Sequence, residues 1–86
     1  MDVNAVISQY QEIFKDVLDN DDVVLKYETT AADVEDWDSL SHIQIVVAIE
    51  KHFKVKFTTA EIREFKNVGE MCEATLKKLS EALYFL

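Results

Sequence analysis

A chain of 86 residues with one glycine and no proline lacks most of the residues that tight turns demand. Frequent reversals of direction are therefore costly, which disfavours a turn-rich β-sandwich. Apolar residues make up 49 % of the sequence, too many for a disordered chain and enough for a single core between two packed layers. The expectation is one all-α domain over residues 1–86.

The spacing of apolar residues supplies the helices. Val3, Val6, Ile7, Tyr10, Ile13, Phe14, Val17 and Leu18 recur at three- and four-residue intervals, which predicts an amphipathic helix over 3–18 with Asp2 as its cap. The cluster DNDD at 19–22 ends it, because aspartate and asparagine side chains compete for nearby backbone groups. A long connector, about 19–38, follows. Val23, Val24, Leu25, Val34 and Trp37 are expected to pin it to the core while Glu28, Asp33, Glu35 and Asp36 face water.

A second helix starts at Asp38 or Ser39 and runs to about His52. It carries two apolar stripes, Ile45, Val46, Ile49 and Phe53 on one face and Leu40, Ile43 and Val47 on another. Either this is the central buried helix, or the second stripe stays exposed for partners. Thr58 and Glu61 have the spacing of a capping box ahead of a short helix from 59 to about 65. Asn67 and Glu70 repeat it before a last helix whose inner face is Val68, Met71, Cys72, Thr75, Leu76, Leu79 and Leu83. The apolar end ALYFL is expected to pack on the bundle or fray.

Several functions are disfavoured at this level. Seventeen acidic against nine basic residues give a net charge of −8, which repels nucleic acid and anionic membranes. No apolar run approaches the roughly twenty residues that span a bilayer, so no stable membrane insertion is expected. One cysteine precludes an intrachain disulfide, and the N-terminus lacks the flank and core of a secretory signal, so a cytoplasmic location is expected. A hydrolase built on Ser39 and His42 would need a strained turn and oxyanion donors, and the only glycine is Gly69. No metal site is expected: the acidic runs at 19–22 and 33–38 lack the glycine and terminal glutamate of a calcium loop, with Gln44 twelfth from Asp33. His42 and His52 lie ten residues apart, too far for a helical zinc pair.

Within EDWDSLSHIQIVVAIEKHF, Ser39 has a less demanding use as an attachment point. It needs only an exposed hydroxyl at a rigid place, and in the first turn of a helix an attached phosphodiester lies near unpaired backbone N–H groups and the positive end of the helix dipole. Asp38 opposes this in part, but it can cap the helix and present the serine, and Leu40 supplies apolar contact.

With DSL opening the second helix, IVVAIEKHFKVKF along and after it, an acidic chain and this helix order, the sequence resembles the acyl carrier proteins over nearly its whole length. The resemblance implies a four-helix bundle with a long connector between helices 1 and 2 and a short helix 3. It implies that Ser39, flanked by Asp38 and Leu40, receives 4'-phosphopantetheine from coenzyme A through a phosphopantetheinyl transferase. The arm then carries an acyl or aminoacyl group as a thioester, and acyl-loading, synthase or acyltransferase enzymes perform the chemistry. Leu40, Ile43, Val47, Glu50, Asp36 and Trp37 are the positions expected to meet partners, and Phe14, Ile45, Ile49, Ile62 and Leu76 those expected to line an acyl-chain cavity.

The sequence departs from the fatty-acid carriers where Ser41, Gln44, Lys51 and His52 replace acidic residues and where Trp37 replaces a small one. Acidity is shifted towards Asp33, Glu35 and Asp36. A monomeric, stand-alone carrier is expected, in fatty-acid or polyketide synthesis or in a specialised acyl-transfer pathway, the last favoured by these departures. The alternative is an unmodified bundle that acts as a protein-interaction module through the Leu40, Ile43 and Val47 stripe.

Overall fold

The computed structural model describes residues 2–83, the side chains of Ala82 and Leu83 excepted. Four α-helices form, α1 (Val3–Leu18), α2 (Ser39–Phe53), α3 (Thr59–Glu64) and α4 (Val68–Leu83), with a 3-10 turn at Ala31–Asp33 inside the connector. No strand occurs among the described residues. The ALYFL end and the Leu83 side chain, both given places in the sequence reading, lie outside the described residues.

Each boundary has a local cause. The Asp2 carboxylate accepts the Ala5 N–H at 2.9 Å and starts α1. Asp19 closes it in the left-handed region at φ 50°, a conformation that aspartate tolerates better than most residues. Thr58 Oγ1 accepts from Glu61 N at 3.1 Å, and Glu61 returns a carboxylate oxygen to Thr58 N at 2.8 Å, which completes the expected capping box. That contact, the Thr58 backbone N–H foremost, also holds the Glu61 carboxyl below its ordinary range. Asn67 caps α4 through Glu70 N at 2.8 Å. Glu70, however, reaches back to Lys66 N at 3.1 Å, one residue before the cap.

Helix α1 packs against both α2 and α4. Val6, Tyr10, Phe14, Ile45, Ile49, Val68, Met71 and Cys72 form the fully buried centre of the core. Inside it the Tyr10 hydroxyl lies 3.0 Å from the Met71 carbonyl and 2.5 Å from Thr75 Oγ1, and the Thr75 hydroxyl donates to the same carbonyl at 3.0 Å. The buried hydroxyls are thus satisfied by the turn of α4 they touch.

Burial makes ionisation of this core expensive. It raises the Tyr10 hydroxyl well above its usual range and pushes the Cys72 thiol up to about 12. Both groups are neutral in the folded state at neutral pH and ionise more readily once unfolded, at about 8.5 for the cysteine and about 10 for the tyrosine. Stability is therefore fully present below those values and falls as pH rises through them towards the folded ones. Urea unfolding should show a flat midpoint near neutrality and a decline above about pH 8.5, and Cys72→Ala should move the onset towards about pH 10. A midpoint unchanged at high pH would contradict this.

The connector is fastened at several points. Val23, Leu25, Val34 and Trp37 are buried as expected, but Val24 is 65 % exposed. The in-out-in order of residues 23–25 is the alternation of an extended chain, which sends neighbouring side chains to opposite sides. Gln11 Oε1 accepts Leu25 N at 3.0 Å. Two N–H groups at the start of α4 are used as well, Gly69 N donating to Tyr27 O and Val68 N to Thr29 O, each at 2.8 Å. The approach is close: a Cβ on Gly69 would clash with the Tyr27 ring. Gly69→Ala must displace that ring or lengthen both hydrogen bonds, and a loss of about 1–3 kcal/mol in chemical denaturation is expected.

Candidate functional site

The head of α2 is held by an interlocked cap. Asp38 Oδ1 accepts Leu40 N at 3.0 Å and Ser41 N at 2.9 Å. In return Ser41 Oγ accepts Asp38 N at 2.8 Å and donates to the Asp36 carbonyl at 2.7 Å. Ser41 so fills the place a glutamate or glutamine usually takes in a capping box, and it is buried. The Ser41 backbone N–H is the main reason the Asp38 carboxyl lies below its ordinary range, so it is a carboxylate at neutral pH. Asp36, at φ 72°, turns the chain into this cap. In the sequence Ser41 stands out only as a missing acid; the signal for its role is a cap residue, Asp38, followed three positions later by a hydrogen-bonding side chain.

Ser39, by contrast, is exposed, and its hydroxyl has no hydrogen-bond partner among the described residues. It opens on a groove of about 700 Å³ between the start of α2 and the α3–α4 segment, with Ile43, Ile62, Phe65 and Met71 as apolar walls. His42, Arg63 and Lys66 also face this groove. Trp37 Nε1 donates to His42 Nδ1 at 3.1 Å, and the two rings lie nearly parallel with centroids 5.9 Å apart. An indole N–H only donates, so Nδ1 is the acceptor and the neutral imidazole carries its proton on Nε2. The nitrogen a general base would use is already occupied, which argues against the Ser39 and His42 hydrolase.

The other expected site residues divide. Leu40 (72 % exposed), Ile43 (52 %) and Val47 (42 %) stand out from the bundle as the second stripe, while Ile45, Val46, Ile49 and Phe53 are buried. Asp36 is exposed. Trp37, expected both to pin the connector and to meet partners, is buried edge-on against Phe14, centroids 4.9 Å apart, so it anchors the connector, and one side of it borders the groove beside Ser39. Glu50, expected as the acidic contact of α2, is half-buried and accepts Phe57 N at 2.8 Å, so its carboxylate holds the α2–α3 loop. Of the five expected cavity residues, Phe14, Ile45 and Ile49 are solidly packed in the core. Ile62 and Leu76 lean on it, and only Ile62 lines the groove beside Ser39.

Residues 11–75 match the family described as the phosphopantetheine attachment site. The chain belongs to that family. It is similar to the holo acyl carrier protein of Geobacter metallireducens, solved by solution NMR, with 40 % identity, a TM-score of 0.86, and coverage of 92 % of this chain and 91 % of that one. It also shares the fold of the acyl carrier protein of Thermotoga maritima, a crystal structure at 24 % identity, a TM-score of 0.81 and 95 % coverage of both chains. No curated protein sequence matches. The fold is that of an acyl carrier protein, and family members are carriers rather than enzymes, bearing covalent 4'-phosphopantetheine. In general they interact with phosphopantetheinyl transferases and with synthase or acyltransferase enzymes. An open hydroxyl on a capped helix head, beside a groove with apolar walls and cationic side chains, fits such a group. Among the described residues no helix is long and apolar enough to cross a membrane.

Proposed function

We propose that Ser39 is the attachment residue and that the chain works as a stand-alone acyl carrier. One observation carries this reading. The matched segment contains two serines, Ser39 and Ser41, and only Ser39 has an open hydroxyl. In the transfer, Ser39 Oγ forms the new bond to the phosphorus bearing the pantetheine, the pyrophosphate bond of coenzyme A breaks, and adenosine 3',5'-bisphosphate leaves. The hydroxyl proton passes to a base of the transferase. Once attached, the arm supplies a thiol that holds acyl or aminoacyl groups as thioesters.

Leu40, Ile43 and Val47 serve as the apolar contact for the transferase and the acyl-handling enzymes. Asp33, Glu35 and Asp36, all exposed on the connector, supply the acidic part of the docking surface, since Glu50 is committed to the loop. This shift supports a specialised acyl-transfer pathway over the main fatty-acid one, with polyketide synthesis a further setting. The protein acts as a monomer, and a single free, buried cysteine suits a reducing compartment such as the cytoplasm.

Incubation with coenzyme A, magnesium and a broad-specificity transferase should add one phosphopantetheinyl mass, mapped by peptide analysis to Ser39. An unchanged mass, with the same transferase active on another carrier, would leave only the unmodified interaction module. Val47→Glu tests the docking surface. Because Val47 is part-exposed, its replacement should change stability by no more than about 0.5 kcal/mol. It should weaken transferase binding by about tenfold, the equivalent of about 1.4 kcal/mol. A marked drop in melting temperature would place Val47 in the core instead.

A further inference from the structure

A phosphodiester on Ser39 meets an awkward electrostatic setting. The opposition of Asp38 expected from the sequence is strengthened by the structure: Asp38 Oδ1 takes the backbone N–H groups of Leu40 and Ser41, and its own negative charge stays beside the attachment oxygen. The helix head is thus already occupied by an anion. Compensation has to come from elsewhere, and the groove supplies it.

Among the described residues two cations meet carboxylates, Lys15 with Glu12 at 3.4 Å and Lys78 with Glu61 at 3.0 Å. Arg63 and Lys66 form no ion pair among the described residues, nor do the other five lysines, but of the basic residues only these two line the groove that contains Ser39, and both are exposed. The Glu70 carboxylate, four positions from Lys66, is engaged by the Lys66 backbone N–H. Asp38 is the one acidic side chain on the groove wall. His42, whose Nδ1 is taken by Trp37, brings an Nε2–H donor to the same wall.

From this arrangement we infer that Arg63 and Lys66, assisted by His42 Nε2–H, form a clamp for the phosphodiester end of the prosthetic arm. The clamp lays the arm along the groove instead of leaving it free in solvent. The inference rests on Ser39 being the attachment residue. Arg63 is suited to a two-pronged contact with phosphate oxygens and Lys66 to a point-charge contact. Beyond the phosphate, the geminal methyls of the pantoyl unit meet the apolar walls of Ile43, Ile62, Phe65 and Met71. The bundle core need not open for this.

The test uses the full-length holo chain, isotope-labelled, with its arm introduced from unlabelled coenzyme A. Isotope-filtered NMR should show contacts between the geminal methyls and the methyls of Ile62 and Met71, together with a phosphorus resonance displaced from that of free phosphopantetheine. In the Arg63→Gln, Lys66→Gln double variant those contacts should fall several-fold and the phosphorus shift should move towards the free value. On the unsubstituted holo chain, about 1 M salt, where the screening length shrinks to about 3 Å, should have the same effect without any change of sequence. Absence of these contacts in the unsubstituted protein, or their survival in the double variant, overturns the clamp. So does a variant that changes only transferase binding, since the cations would then serve docking. Intact mass and peptide mapping precede the NMR: arm mass on a residue other than Ser39, or none, sinks the attachment reading and the clamp with it, whereas mass on Ser39 with a free arm sinks the clamp alone.

Discussion

Ser39→Ala should yield a folded chain that never gains the phosphopantetheinyl mass, and Ser41→Ala a chain that gains it but unfolds more readily. The two serines are two residues apart on one helix turn, yet their surroundings are opposite. Removing an exposed hydroxyl without a protein partner leaves stability within about 0.5 kcal/mol. Removing Ser41 Oγ strands the Asp38 N–H and the Asp36 carbonyl at a part-buried cap, which costs about 1–2 kcal/mol. Intact mass after transferase treatment, paired with urea denaturation of each variant, gives both readouts. Loading of Ser39→Ala to the same mass as the unsubstituted protein would end the attachment proposal, and loss of loading on Ser41→Ala with unchanged stability would exchange the roles of the two residues.

Trp37→Ala should be the most destabilising change near the site. The ring is buried and meets Phe14 edge-on at 4.9 Å, so truncation removes a large apolar surface and opens a cavity, at about 3–5 kcal/mol. For a chain of this length the whole folding stability is about 4–13 kcal/mol, so Trp37→Ala is expected to be partly or largely unfolded at 37 °C. Circular dichroism melting measures it. Trp37→Phe separates the two functions of the side chain, keeping most of the packing while deleting the Nε1–H bond to His42. It should lose about 1 kcal/mol and release the imidazole tautomer, visible in the ¹⁵N shifts of His42. A stable Trp37→Ala would mean that the connector is held by Val23, Leu25 and Val34 alone.

Helix limits were legible because they depend on local chemistry. Asp2, Asp38, Thr58 and Asn67 each cap a helix through hydrogen bonds spanning two or three residues, which sequence spacing reports directly. The divided faces of α2 were legible too, since periodicity separates Ile45, Val46, Ile49 and Phe53 from Leu40, Ile43 and Val47. What escaped depends on contacts between distant segments. Glu50 reads as a surface acid until the loop brings Phe57 N to it, and the sequence leaves Trp37 open between connector anchor and docking residue until Phe14 covers it. Gly69 carried no turn signal because its purpose is to let Tyr27 approach across a gap of some forty residues. The groove beside Ser39 joins residues from α2, α3 and the start of α4, and no period along one helix encodes such a meeting.

Cys72 has a consequence for the fidelity of cargo handling. An acyl thioester can be intercepted by any neighbouring thiolate through thiol exchange, and a carrier with a second reactive sulfur would scatter its load onto its own cysteine side chain. Here the only sulfur nucleophile the polypeptide owns is fully enclosed, with its proton held to about pH 12. Acyl transfer to the protein's own thiol is closed off by the same tight interior that keeps the helices together.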